Sequence, residues 1–148
     1  MEESRRILES HLNEFFAPNT SNERKRQIEA LLENFSRQNG AWKQSLYFLS
    51  NSNGNQYVIM FCLSVIENTI KYKWVSMNQS EREEVKSTIY SYLLQNVSST
   101  DKCPHFVRNK MVKVLTDVGK FSWPHEYPDF LSNILQVSSF KNIHYISC

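Results

Sequence analysis

Apolar residues recur every three to four positions along most of this chain, which is the spacing of an amphipathic α-helix. The first such stripe contains Ile7, Leu8, Leu12, Phe15 and Phe16. Comparable stripes predict further helices at about residues 20–39, 41–49, 57–74, 80–97 and 104–119, and from about residue 130. No segment shows the two-residue alternation that is typical of a half-buried strand. The pattern therefore predicts an all-α fold with seven helices.

Residues at the ends of these stripes predict where individual helices begin and end. The spacing S/T-x-x-E, in which a hydroxyl and a carboxylate satisfy free backbone amides at a helix N-terminus, occurs twice. It pairs Thr20 with Glu23 before the second helix and Ser80 with Glu83 before the fifth. Gly119 is expected to end the sixth helix, because glycine is common just beyond a helix C-terminus.

The fourth and sixth predicted helices match each other at an offset of 49 residues, which aligns Tyr57 with Phe106. The same offset aligns Trp74 with Trp123, and we expect both tryptophans to pack between repeats. An offset of this size is close to the ~40–47 residues of HEAT and armadillo repeats. The sequence therefore predicts an α-solenoid of HEAT-like antiparallel helix pairs, with about three pairs and one unpaired helix.

The composition agrees with helices joined by short connections, because only three glycines and four prolines occur among 148 residues. The 17 basic and 15 acidic residues give a formal net charge of +2, so charge predicts neither a nucleic-acid partner nor a membrane partner. The acidic N-terminal residues do not resemble a signal peptide, and the longest apolar run is far shorter than a membrane span. We therefore expect a soluble intracellular protein.

The motifs of common catalytic, metal and cofactor sites do not occur in this sequence. The glycines lie too far apart for a phosphate-binding loop, and neither GxSxG nor HExxH is present. The four histidines are scattered, and the three cysteines include no CxxC pair. Cys62 lies in an apolar run that is typical of a protein core. We therefore expect no cofactor, no metal site and no enzymatic activity.

Polar side chains form stripes on the second, fourth and sixth predicted helices. The stripes consist of Lys25 and Glu29 on the second helix, Asn68 and Lys71 on the fourth, and Asn109, Lys113, Thr116 and Lys120 on the sixth. In a solenoid, the second helices of successive pairs line the concave surface, where protein partners commonly bind. Such stripes are also typical of a solvated helix face, so both interpretations stay open on the pattern alone.

Several segments resemble the importin-β (karyopherin) superfamily. Residues 22–32 are similar to the opening of the N-terminal domain of that family, and residues 57–74 are similar to the last helix of that domain. Residues 106–111, followed by Trp123-Pro124 and by the Tyr-Pro-Asp-Phe of residues 127–130, resemble the exportin branch. The individual motifs are degenerate, but their order and spacing together are specific.

Within the exportin branch, residues 22–26, 40–42 and 47–50 are similar to the carrier of actin–profilin. The resemblance implies importin-β N-terminal-like HEAT repeats over residues 1–137. Residues 138–148 do not continue the family pattern, and we interpret them as a divergent C-terminal tail.

The resemblance implies nuclear export of protein cargo such as actin–profilin, driven by Ran in its GTP form. It also implies nucleoporins as further partners, and shuttling between nucleus and cytoplasm. The candidate Ran-binding residues that it implies are Lys25, Glu29, Asn68, Lys71, Asn109, Lys113 and Asp117. The alternative is a stand-alone helical-repeat scaffold that binds a protein partner without Ran dependence.

Overall fold

The computed structural model of the chain describes residues 1–98 and 103–136, and within these ranges it contains helices and no β-strand. The α-helices are α1 (Glu2–Phe16), α2 (Asn22–Arg37), α3 (Ala41–Ser50), α4 (Gln56–Lys73), α5 (Gln79–Ser98) and α6 (His105–Ser122). A 3-10 turn at Trp74–Ser76 follows α4, and the backbone is helical again at 130–136. The all-α prediction is confirmed, and the segment at 130–136 is the predicted seventh helix.

The chain divides into two compact units, Met1–Ile66 and the residues from Glu67 onward, so the boundary falls within α4. In the first unit α1 packs against α2, and α2 also contacts α3. The ring of Phe35 on α2 lies 6.1 Å from the ring of Phe48 and 5.9 Å from that of Phe61. In the second unit α5 packs against α6.

The 49-residue repeat is visible in the helix bounds themselves. Helices α4 and α6 each contain 18 residues, and α6 begins and ends 49 residues after α4. Aligned apolar positions are also equally buried, as in Val58 with Val107 and Ile66 with Leu115. The predicted helical repeat is therefore confirmed in both length and burial pattern.

The expectation that Trp74 and Trp123 are equivalent is wrong. Trp74 is buried, whereas 49% of Trp123 is exposed. At Trp74 the chain passes from α4 into a 3-10 turn. At Trp123 the backbone is instead extended, with φ −80° and ψ 142°. A residue before proline is disfavoured in the helical region, so Pro124 accounts for the different backbone and side-chain direction at Trp123.

The predicted apolar stripes are wider than the helix faces that are buried. In α1, Leu8 and Leu12 are buried, but about half of Ile7 and Phe16 is exposed. Phe106 at the start of α6 is exposed to a similar degree, although its helix also contains a well-buried stripe. A helix that packs on one side covers only part of its apolar surface, so residues at the edge of a stripe project into solvent.

Both predicted capping boxes are displaced from the actual helix starts. Ser21, not Thr20, caps α2, and its hydroxyl accepts a hydrogen bond of 3.1 Å from the backbone amide of Arg24. The Thr20 hydroxyl instead donates to the backbone carbonyl of Glu14, near the end of α1. The motif assigned the Thr20 side chain to the start of α2, but its hydroxyl bonds to the end of α1.

The capping box of α5 is formed by Asn78 and Glu81, two residues before the predicted pair. The amide of Glu81 donates to Asn78 Oδ1, and the amide of Asn78 donates to Glu81 Oε2, both at 2.9 Å. Ser80 therefore lies inside the first turn of α5, and the prediction that it caps the helix with Glu83 is wrong. The reciprocal pattern is the one expected of a capping box, with asparagine replacing the hydroxyl residue.

Gly119 does not end α6, which continues through Ser122. It is a buried position inside the helix, and a Cβ atom there would lie under 3.0 Å from three ring atoms of Phe130. The glycine is therefore required by the close approach of an aromatic ring, not by a helix-terminating backbone conformation.

No helix in the described ranges is both long and apolar enough to cross a lipid bilayer. The predicted tail, residues 138–148, lies outside the described residues.

Candidate functional site

The seven candidate residues lie on α2, α4 and α6, and they divide between the two units of the chain. Lys25 and Glu29 are on α2 in the first unit. The candidates in the second unit are Asn68 and Lys71 on α4, and Asn109, Lys113 and Asp117 on α6.

In the second unit, ion pairs connect α4 to α6. Glu67 on α4 accepts hydrogen bonds from the ammonium groups of both Lys110 and Lys113 on α6. Lys113 also donates to Asp117 at 2.9 Å, and Lys120 donates to the other Asp117 oxygen at 2.8 Å. We refer to Glu67, Lys110, Lys113, Asp117 and Lys120 as the charged cluster.

The carboxylates of the charged cluster are recessed beneath two of its ammonium groups. Only 19% of the Glu67 side chain and 15% of the Asp117 side chain are exposed, against 56% for Lys113 and 66% for Lys120. The surface that a partner meets is therefore mainly cationic, although negative charges lie just below it.

The lysines keep both carboxylates ionised. Burial raises the pKa of Glu67, but hydrogen bonds from Lys110 and Lys113 more than offset it, and the pKa lies below its ordinary value. The pKa of Asp117 is lowered in the same way, because Lys120 and Lys113 outweigh the effect of burial. In turn, the hydrogen bonds to Glu67 and Asp117 raise the pKa of Lys113. Glu67, Asp117 and Lys113 are therefore all charged at neutral pH.

The remaining candidates of this unit border the charged cluster along the same helices. Asn68, Lys71 and Asn109 are all exposed. The Lys71 ammonium lies 4.9 Å from the ring centroid of Tyr72, a solvent-exposed aromatic residue. The five candidates of the second unit therefore lie on two helices that the ion pairs of Glu67 connect.

In the first unit, the structure gives Lys25 and Glu29 different surroundings. The Lys25 ammonium lies 5.9 Å from the ring centroid of Phe15 on α1. Glu29 lines an open groove of about 520 Å³ whose other walls include Glu33 and Phe61. The two side chains are one helical turn apart and contact different neighbours.

Three members of the charged cluster are absent from the predicted site residues. Lys120 was recognised only as part of the polar stripe on the sixth helix, and Glu67 and Lys110 were missed. Lys110 stands three residues before Lys113, a spacing that places both side chains on adjoining parts of one helix surface. No such local signal identifies Glu67, because its contact with Lys110 spans 43 residues of sequence. The link between α4 and α6 is a tertiary contact that periodicity does not encode.

The described residues offer little for metal binding or nucleophilic chemistry. Within them, no group of three or more His, Cys, Asp or Glu side chains is placed to hold a metal ion. Burial raises the pKa of the Cys62 thiol to about 12, so this cysteine is protonated at neutral pH. Cys62 is a fully buried core residue, as its apolar surroundings in the sequence predicted.

Helical repeats with polar side chains along α2, α4 and α6 are typical of proteins that act by binding other proteins. Residues 28–95 match the importin-beta N-terminal domain, a range that runs from α2 into α5. The chain belongs to the importin-β superfamily, which confirms the resemblance seen in the sequence.

Within that superfamily, the chain is similar to exportin-6 proteins. It is 47% identical over 136 residues to Exportin-6-A of Xenopus laevis and 46% identical over 136 residues to Exportin-6 of Homo sapiens. Exportin-6 of Dictyostelium discoideum is 28% identical over 159 residues, an alignment that covers 100% of this chain and 15% of the relative. The Xenopus and human alignments each cover 92% of this chain but only 12% of the relative, so the chain spans about an eighth of their length.

Proposed function

We propose that this chain forms the Ran-binding, N-terminal part of a nuclear export receptor and binds Ran in its GTP form. The observation that carries the proposal is the similarity to exportin-6 proteins, which covers 92% of the chain and includes the importin-beta N-terminal domain. The polar faces of α2, α4 and α6 support it, because the successive helices of a repeat protein form the extended surfaces on which protein partners bind.

The residues that we propose for Ran binding are Lys25, Glu29, Asn68, Lys71, Asn109, Lys113 and Asp117. The geometry favours the five of the second unit. Lys113 and Asp117 belong to the charged cluster, and the other three lie on the two helices that its ion pairs connect. Lys71 is the candidate best suited to mutational testing, because it is exposed and its replacement removes no member of the charged cluster.

The receptor that we propose carries protein cargo, with actin–profilin as the cargo implied by the resemblance. It moves between nucleus and cytoplasm and contacts nucleoporins on the way. The proposed function is binding and transport, not catalysis.

A binding experiment with purified Ran tests the proposal. The chain is immobilised and exposed to Ran loaded with a non-hydrolysable GTP analogue or with GDP, at equal concentrations. An export receptor retains the GTP form preferentially, because it must distinguish the two nucleotide states of Ran. A helical scaffold without Ran dependence retains neither form, and that result would refute the proposal in favour of the alternative.

A further inference from the structure

Glu67 connects two lysines on a neighbouring helix, and this arrangement determines where their charges lie. Its carboxylate accepts from Lys110 and from Lys113, and it is itself mostly buried. Lysine side chains are long and flexible, so an unanchored ammonium loses conformational entropy when it binds a partner. The anchored lysines have already lost part of that freedom in the folded chain.

We propose that Glu67 is a positioning residue that holds Lys110 and Lys113 for contact with an acidic segment of the protein partner. The inference rests on the proposed function, with GTP-loaded Ran as that partner. Glu67 acts through the two lysines and does not itself bind the partner. A preorganised pair of ammonium groups binds carboxylates more tightly than the same charges on freely moving side chains.

Charge complementarity identifies the partner segment as acidic. Lys113 and Lys120 are the most exposed members of the cluster, and the Lys110 side chain is partly exposed beside them, at 20%. Lys71 adds a further exposed positive charge on α4. The recessed carboxylates of Glu67 and Asp117 lie behind these lysines, where they orient them. The cluster therefore presents a few fixed cationic contacts to a partner.

The same arrangement favours a protein partner over a nucleic acid. A phosphate backbone is bound by extended stretches of positive charge that displace counterions. Here two carboxylates lie among three lysines, and the whole chain has a net charge of only +2. This short, mixed-charge pattern matches a few carboxylates on a folded surface.

Removal of the Glu67 charge distinguishes positioning from simple electrostatic attraction. In Glu67→Gln the cluster gains one net positive charge, so attraction alone predicts tighter binding of an acidic partner. Positioning predicts the opposite result, because the amide no longer anchors two ammonium groups. The two explanations therefore predict changes of opposite sign in the same variant.

The experiment measures the affinity of the intact chain for GTP-loaded Ran in Glu67→Gln and in the matched control Glu126→Gln. Glu126 pairs with Arg82 at 2.8 Å in the same unit, so the control removes an equal charge and breaks an ion pair elsewhere. We expect binding to weaken by about five- to tenfold in Glu67→Gln and to stay within about twofold of the parent in Glu126→Gln. Equal or tighter binding by Glu67→Gln, or equal losses in the two variants, would overturn the proposal.

Two further measurements separate positioning from a loss of folding. Glu67→Asp keeps the negative charge and should recover part of the lost affinity. In a chain that already carries Lys110→Ala and Lys113→Ala, the Glu67→Gln change should have no further effect on binding, because the residues it acts through are gone. An undiminished effect of Glu67→Gln in that background would contradict the inference.

The preference of the parent chain for GTP-loaded over GDP-loaded Ran tests the proposed function. The affinity of Glu67→Gln tests the positioning role, so the two tests can be distinguished. If the parent chain does not prefer GTP-loaded Ran, the proposed function itself has failed. If the preference is present and Glu67→Gln leaves affinity unchanged, only the positioning role has failed. A single-stranded DNA oligonucleotide serves as a second probe, and tighter binding of that DNA than of GTP-loaded Ran would overturn the assignment to an acidic protein segment.

Discussion

Gly119 on α6 faces the ring of Phe130, and the space that a side chain at residue 119 would need is already filled by that ring. A Cβ atom on residue 119 would come within 3.0 Å of the ring atoms Cδ2, Cε2 and Cζ. This contact fixes the start of the helical segment at 130–136 against the last turns of α6. A residue that a sequence pattern assigns to a helix end is therefore a packing position.

Gly119→Ala is expected to destabilise the chain. A methyl group forced into a filled site lowers the free energy of unfolding by about 1–3 kcal/mol. The higher helix propensity of alanine offsets at most about 1 kcal/mol of this loss. Urea denaturation followed by circular dichroism measures the difference. The matched control is Gly40→Ala, where a Cβ atom would meet nothing within 4 Å and φ is −92°. A Gly119→Ala chain as stable as the parent would show that Phe130 moves aside without cost.

Asn78→Ala is expected to lower stability by about 0.5–2 kcal/mol, because it removes the side chain that caps α5. Ser80→Ala, the matched control, should be nearly neutral, since Ser80 lies in the first turn of that helix. Urea midpoints of the two variants test this order directly. The opposite order would place the cap at Ser80 and would refute the hydrogen bonds assigned to Asn78.

The sequence pattern predicted the helices well because their core positions repeat locally. Val58, Ile66, Val107 and Leu115 are all buried, and each lies in a segment that the sequence predicted to be helical. Helix ends were predicted less well, because they depend on competition between neighbouring groups. Thr20 could serve either α1 or α2, and only the folded chain shows that it bonds to Glu14.

The candidate site was predictable only in part for a related reason. Lys113 and Asp117 are four residues apart on one helix, so their pairing is visible in the sequence. Glu67 bonds to residues more than 40 positions away, and nothing local distinguishes it from any other solvated glutamate. The importance of Glu67 follows from the approach of α4 to α6, which is a property of the tertiary structure.

The charged cluster predicts a specific loss of stability in acid. The pKa values of Glu67 and Asp117 are lower in the folded chain than their ordinary values of 4.5 and 3.8. Their ion pairs therefore stabilise the folded state above those ordinary values, and the stabilisation is lost as the pH falls through the lowered values.

Between about pH 5 and about pH 3, the urea midpoint should therefore fall less steeply in Glu67→Gln than in the parent chain. Other carboxylates titrate in both proteins, so the difference in slope isolates the contribution of Glu67. Identical slopes would mean that the Glu67 ion pairs add nothing to stability in solution.

Lys71→Glu is expected to weaken binding of GTP-loaded Ran by about three- to tenfold without changing helicity. The control is Lys43→Glu on α3, because both lysines are exposed and lie over the ring of an adjacent residue, Tyr72 at 4.9 Å and Trp42 at 5.6 Å. The same reversal at Lys113 is less informative, since it would place a carboxylate between Glu67 and Asp117. Equal binding by Lys71→Glu and the parent would remove Lys71 from the proposed site.

The most direct measurement is the affinity of the purified chain for Ran in its two nucleotide states, determined by calorimetric titration at an ionic strength of about 0.15 M. The proposed function predicts binding to the GTP-analogue form at least about tenfold tighter than to the GDP form, a difference of about 1.4 kcal/mol. Equal affinities for the two forms would contradict the proposed function. The absence of a measurable heat of binding with both forms would contradict it as well.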